Sequence, residues 1–80
     1  METAAQSDEG EFFQVQLAAL ESLVEEARKL VQTQEQEVER LRAAGHDTKR
    51  AEGLLDAYRE STRIAAERKR ELERELARRS

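Results

Sequence analysis

The sequence predicts an all-α fold, a two-helix antiparallel coiled-coil hairpin that dimerises into a four-helix bundle. Three observations predict it. The 80 residues include no proline, 40% are charged and 4% are aromatic, a composition typical of long helices. Apolar residues recur at alternating steps of four and three in both halves of the chain, which is the 3.5-residue repeat of a coiled coil. Between the halves lies one short turn that contains glycine.

The first ten residues are polar, include Gly10 and show no apolar repeat. Such a segment has too little apolar surface to bury. We therefore expect a disordered N-terminal tail over residues 1–10 and a helical hairpin over residues 11–80.

The first helix is predicted over about 11–44. Its repeat, here called the first seam, has one polar member, Gln34, in nearly four heptads. Leu23 and Leu30 directly precede members of this seam and widen its apolar stripe toward the three-in-seven face of a bundle helix. The first seam consists of Phe13, Leu17, Leu20, Val24, Ala27, Val31, Gln34, Val38 and Leu41.

The turn is predicted at residues 45–47. Gly45 can adopt the left-handed conformation that ends a helix. Asp47 can cap the next helix by accepting from a backbone N–H of its first turn, and Thr48 is a competing cap one residue later. His46 fills the space between them. So short a connection makes the two helices antiparallel neighbours.

The second helix is predicted over about 48–78. Its repeat, the second seam, is less apolar than the first because Thr62, Lys69 and Arg79 interrupt it, while Leu54 and Ile64 lie beside it. The second seam consists of Ala51, Leu55, Tyr58, Thr62, Ala65, Lys69, Leu72, Leu76 and Arg79.

Folding at the turn pairs the two seams in one register, because the numbers of facing residues sum to 92 or 93 throughout. Gln34 then faces Tyr58, and this amide and hydroxyl could fix the register by hydrogen bonding. Val24 and Val31 face the polar Lys69 and Thr62. The first helix therefore has more apolar surface than the second can cover.

This surplus predicts a symmetric homodimer, since two helices alone would leave much of the apolar stripe in water. The predicted dimer interface is on the first helix. It consists of Leu20, Leu23, Ala27, Leu30 and Val31.

The residue types argue against several chemical classes. Without cysteine and with one histidine, the chain offers no disulfide framework and no paired metal ligands. We expect no catalytic, cofactor or metal site and no enzyme activity. No apolar run is long enough to span a membrane and no signal peptide is recognisable, so we expect a cytoplasmic location.

The net charge of −4 argues against nucleic acid as a partner, although it is unevenly distributed: −7 up to Leu41 and +3 from Arg42 onward. Helically spaced arginines in the second helix could still contact phosphates. Glutamates three or four residues away favour ion pairs within the helix instead. The arginines are Arg59, Arg63, Arg70 and Arg74.

The segment from Leu41 to Leu55, with Gly45-His46-Asp47-Thr48 followed by Ala51-x-x-Leu54-Leu55, and the later Arg68–Leu72 resemble small bacterial helical-hairpin proteins to which no activity is assigned. The resemblance implies the turn and the hairpin, and carries no functional residues over. The hairpin is also similar in architecture to small dimeric RNA-binding plasmid regulators, a likeness of fold alone.

These observations favour a non-enzymatic interaction or scaffold module that self-associates through its first helix and presents charged outer faces to a protein partner. The alternative is a small dimeric nucleic-acid-binding regulator that uses the arginine stripe of the second helix.

Overall fold

The structure is a computed structural model that describes the backbone of residues 2–79 and the side chains of residues 10–79. Two helices make up the described chain: α1 (Glu2–Ala43) and α2 (Lys49–Arg79). They pack against each other along their length and form a rod of 66 × 15 × 14 Å. The predicted all-α, two-helix hairpin is confirmed.

The register of the hairpin agrees with the predicted one. Residues that touch between α1 and α2 have numbers that sum to 94 for Arg42 with Glu52 and for Glu35 with Arg59. At the far end, the Arg79 guanidinium lies 4.7 Å from the centroid of the Phe13 ring, and these numbers sum to 92. The residue numbers of the contact partners fall along α1 as they rise along α2, so the two helices are antiparallel.

Both predicted seams line the contact between the helices. Every member of the first seam is buried or half-buried, and so is every member of the second seam except Arg79. The most deeply buried side chains among the described residues are small or medium in size and none is fully enclosed. They are Val24, Val38, Leu55 and Ala65, at 5 to 7% exposure.

The start of α1 differs from the prediction. Residues 2–10, expected to be a disordered tail, continue the helix backbone back to Glu2. The segment has no proline to interrupt the hydrogen-bond ladder, and Ala4, Ala5, Gln6 and Glu9 are favourable helix formers. Met1 and Ser80 lie outside the described residues. Since Phe13 lies at the level of Arg79, residues 2–12 of α1 extend past the end of α2.

The turn closes α1 with a Schellman motif. Gly45 has a φ of 75°, the His46 N–H donates to the Leu41 carbonyl at 2.9 Å, and the Gly45 N–H donates to the Arg42 carbonyl at 3.0 Å. These two bonds use carbonyl groups that would otherwise remain unpaired at the helix end. The left-handed backbone conformation of Gly45 thus ends α1 and allows the chain to reverse direction.

The start of α2 uses the predicted Asp47 side chain, whereas Thr48 contributes its backbone carbonyl. The Asp47 carboxylate accepts from the Lys49 N–H at 3.0 Å, whereas the Thr48 carbonyl accepts the first helical bond, from the Glu52 N–H at 2.8 Å. The connection spans residues 44–48, slightly longer than the predicted 45–47, because Ala44 and Thr48 are the flanking residues of the two helices.

We predict that Gly45→Ala lowers the free energy of unfolding by about 1 kcal/mol, because a side chain disfavours left-handed backbone. A Cβ at this position would meet nothing within 4 Å, so the cost is conformational. Urea unfolding followed by circular dichroism, at equal chain concentration, measures it.

Gly53→Ala is the matched control. Gly53 lies inside α2, and its Cβ would also meet nothing within 4 Å. Here alanine should stabilise the hairpin by about 0.5 to 1 kcal/mol, because it favours helix. Equal effects at both positions would contradict the assigned turn.

Candidate interaction faces

The seams divide the surface of the hairpin into two long faces with different chemistry. On one side, which we call the charged face, ionic side chains bridge α1 and α2. The Arg42 guanidinium lies 2.9 Å from the Glu52 carboxylate, and that of Arg59 lies 3.1 Å from the Glu35 carboxylate. All four side chains are about half exposed, so each pair contributes about 0 to 1 kcal/mol. Such pairs add more to the specificity of the register than to stability.

The other side, which we call the apolar face, has exposed aliphatic side chains on both helices. It comprises Leu23, Leu30, Leu54 and Ile64, exposed by 52, 48, 45 and 47%.

A surface depression of about 250 Å³ connects the two helices on the apolar face. Its lining brings Leu23 and Leu30 of α1 next to Tyr58 and Ser61 of α2. Leu54 lies seven residues before Ser61 and Ile64 three residues after it, spacings that place both on the same side of α2 as Ser61. The floor is formed by Ala27 and Ala65. The four aliphatic residues therefore belong to one continuous surface.

The five residues predicted as the dimer interface do not share one face. Leu23 and Leu30 are exposed on the apolar face, and Ala27 forms part of its floor. Leu20 is half-buried in the first seam. Val31, also half-buried, lines a groove on the charged side together with Arg59 and Thr62.

The expected surplus at Val24 is not present. Val24 is 5% exposed within the hairpin itself, opposite Lys69, which is half-buried. Lysine can lay its aliphatic stem along an apolar surface while its ammonium stays in water, so a polar residue covers this position. The exposed surplus of α1 is thus at Leu23 and Leu30.

Leu54 and Ile64 are interface candidates that the sequence-based set omits. The signal was present in the sequence: Leu54 directly precedes the seam residue Leu55, as Leu23 precedes Val24 and Leu30 precedes Val31. In two antiparallel helices, residues that directly precede a seam residue in either helix lie on the same side of the helix pair. The apolar face therefore includes α2 as well as α1.

Gln34 and Tyr58, the two polar residues in the middle of the seams that could have paired, form no hydrogen bond with each other. The Gln34 side-chain amide donates to the Ala51 carbonyl at 3.0 Å, one helical turn from the connection. Both Gln34 and Tyr58 are half-buried. The amide thus ties α1 to the first turn of α2, and Tyr58 lines the depression on the apolar face.

The aromatic residues near the start of the first seam have different surroundings. Phe13 is half-buried beneath the Arg79 guanidinium, a cation–π geometry. Phe12 packs edge-to-face on Phe13, with ring centroids 6.0 Å apart, and is 57% exposed. This end of the rod is therefore closed by a charged side chain and one aromatic ring.

The arginine stripe of α2 is partly neutralised. Arg63 lies 2.9 Å from the Glu67 carboxylate and also pairs with Glu60, while Arg59 pairs with Glu35 across the helices. Arg70 and Arg74 are exposed on the outer side of α2. Ion pairs within and between the helices thus engage two of the four arginines.

Among the described residues, no group of three or more His, Asp or Glu side chains is arranged to hold a metal ion. His46 is exposed in the turn. No described helix is long and apolar enough to cross a membrane. No protein-family model, curated protein or solved structure matches the chain.

The Arg63 guanidinium holds the pKa of the Glu60 carboxyl below its usual value through a hydrogen bond and charge attraction. We predict that Arg63→Gln raises the Glu60 pKa toward the usual value, whereas Arg70→Gln, a control more than two turns away, leaves it unchanged. A pH titration of side-chain carboxyl carbons by NMR measures both.

The direction of the pH dependence of stability follows from the linkage between protonation of Glu60 and folding. Because the pKa is lower in the helix than in the unfolded chain, the stabilisation by this pair is present above the unfolded pKa and is lost as the pH falls through the folded one. An unchanged Glu60 pKa in Arg63→Gln would show that the two groups are not paired.

Proposed function

We propose that this chain is a non-enzymatic interaction module whose apolar face packs against a second copy of the chain to form a four-helix bundle. The observation that carries the proposal is the apolar face. Leu23 and Leu30, about half exposed, line one depression with residues of α2, and helical spacing places the equally exposed Leu54 and Ile64 on the same side of α2. Contiguous exposed apolar surface on this scale is typical of protein–protein interfaces.

The accessible area supports self-association. The isolated hairpin exposes 6414 Å², whereas a compact monomer of its mass of 9.2 kDa would expose about 4,900 Å² by the usual scaling. The excess of about 1,500 Å² exceeds the roughly 800 Å² that each partner contributes to a standard interface. One face of the rod can supply that area.

The shape of the apolar face also suits a second hairpin. Two small side chains, Ala57 and Ser61, lie between Leu54 and Ile64 on α2, which allows close approach of another helix. The depression beside Ser61 lies between the two helices, and its volume of about 250 Å³ is large enough to accept a side chain from a second hairpin.

Dimerisation through this face leaves the charged face outside. Its ion pairs and the glutamate and arginine side chains on the outer surface of the bundle would then be available to a protein partner. Binding of nucleic acid through Arg59 and Arg63 receives less support, because these guanidinium groups already pair with Glu35, Glu60 and Glu67.

We predict that Leu23→Glu with Leu30→Glu converts the dimer into a monomer, because it places two charges in the proposed interface. Sedimentation equilibrium at micromolar concentration should give twice the chain mass for the original protein and the chain mass for the variant.

Ser22→Glu with Gln32→Glu is the matched control. It adds the same charge to α1 at two exposed positions, and Gln32 lines the groove on the opposite side of the hairpin. The control should remain a dimer. A folded monomer for the original chain, or equal masses for the two variants, would overturn the proposal.

A further inference from the structure

The apolar face can be covered by a second hairpin in two symmetric ways, which differ in what touches what. In the co-aligned arrangement the two turns lie at the same end, and α1 packs against α2 of the partner subunit. In the head-to-tail arrangement the turns lie at opposite ends, and α1 packs against the partner's copy of itself. Twofold symmetry along or across the rod produces these two cases.

The charges of the two helices differ in sign. Where α1 overlaps α2, residues 13–43 have six acidic and four basic residues, a net charge of −2, and α2 has seven acidic and ten basic residues, a net charge of +3. Co-aligned packing puts the negative segment against the positive helix. Head-to-tail packing puts −2 against −2 and +3 against +3, and juxtaposed like charges are a cost that natural interfaces avoid.

The side chains on the apolar face lead to the same choice. Each residue of α1 faces particular residues of α2 within its own hairpin. In a co-aligned pair, it also lies at the same height as the residues with those numbers in α2 of the second copy. Leu30 is then level with Ile64 of the other copy, and Glu26, at the edge of the depression, with Arg68. Apolar meets apolar, and the carboxylate meets a guanidinium.

Head-to-tail packing gives poorer matches. Centring it between Leu23 and Leu30, so that these residues meet across the twofold axis, brings the two copies of Glu26 to within about one residue of each other along the axis. On α2 the same symmetry sets Ile64 opposite Glu71. Each apolar match on α1 is thus accompanied by a like-charge contact or a mismatch.

We infer that the second copy packs co-aligned, with α1 against α2 of its partner and both Gly45–Asp47 turns at one end of the bundle. This inference rests on the proposed self-association and specifies its geometry. Every neighbouring pair of helices in the bundle is then antiparallel, and the two extensions of α1 beyond α2, residues 2–12, lie at the end opposite the turns.

A spin label on His46→Cys tests the arrangement. His46 is exposed in the turn, and because the chain has no cysteine the label is unique. Co-aligned packing puts the two turns in adjacent layers whose axes are about 10 Å apart, so the distance between labels should be below about 25 Å. Head-to-tail packing centred between Leu23 and Leu30 puts each turn roughly 19 residues from the twofold axis and therefore separates the two labels by about 55 Å.

Double electron–electron resonance, with continuous-wave line broadening for the shortest distances, separates the outcomes. A short distance that is lost in the Leu23→Glu, Leu30→Glu background and kept in the Ser22→Glu, Gln32→Glu background is the expected result. A distance near about 55 Å would overturn the co-aligned arrangement and leave self-association standing. Absence of any dipolar interaction would overturn both, and a short distance insensitive to Leu23→Glu, Leu30→Glu would assign the contact to another face.

Discussion

The contact between α1 and α2 is confined to a narrow seam, because a 3.5-residue repeat brings only two residues in seven toward one partner helix. Both helices here have apolar residues at a third position, represented by Leu23 and Leu30 on α1 and Leu54 on α2. The hairpin cannot bury that third position by itself. Its partial core, with Val24 and Val38 as the most buried residues of α1, is a direct consequence.

The same constraint separates the two faces of the rod. Positions on one side of each seam are ionic and are matched between the helices, as in the pair of Arg42 with Glu52. The other side includes the exposed aliphatic residues Leu23, Leu30, Leu54 and Ile64, which the hairpin does not cover. A pair of helices with ionic residues on both sides would be complete as a monomer. In the proposed dimer, this difference between the sides determines which face packs against the second copy.

Most of the fold is readable from the sequence, because it depends on local rules. The repeat on either side of Gly45 predicts the two helices, the turn and the register, and the structure has all of them. Two features were missed for physical reasons. Helix α1 extends back to Glu2 because residues 2–12 contain no proline to break it, although the apolar repeat begins only at Phe13. Val24 is buried although it lies opposite Lys69; a lysine can lay its aliphatic stem along an apolar surface, which a reading of lysine as polar does not predict.

The interaction face was harder to predict. Counting apolar residues on α1 alone selected Val31, which lies toward the charged side, and omitted Leu54 and Ile64. A residue belongs to a face of two antiparallel helices only if it lies on the correct side of its seam. Assigning residues to the face therefore requires both the register of the two helices and the helical phase of each residue. Function is harder still to predict from the sequence, since the side chains that form a surface do not specify which partner binds it.

The central claim is that the hairpin becomes complete only with a second copy, and the dependence of its thermal unfolding on chain concentration tests it most directly. Dissociation coupled to unfolding makes the midpoint temperature of a dimer rise with concentration. We predict a steady rise in the circular dichroism midpoint from about 1 to 100 μM chain, within the micromolar-to-nanomolar affinities usual for such interfaces. A midpoint that stays constant across this range would contradict the account.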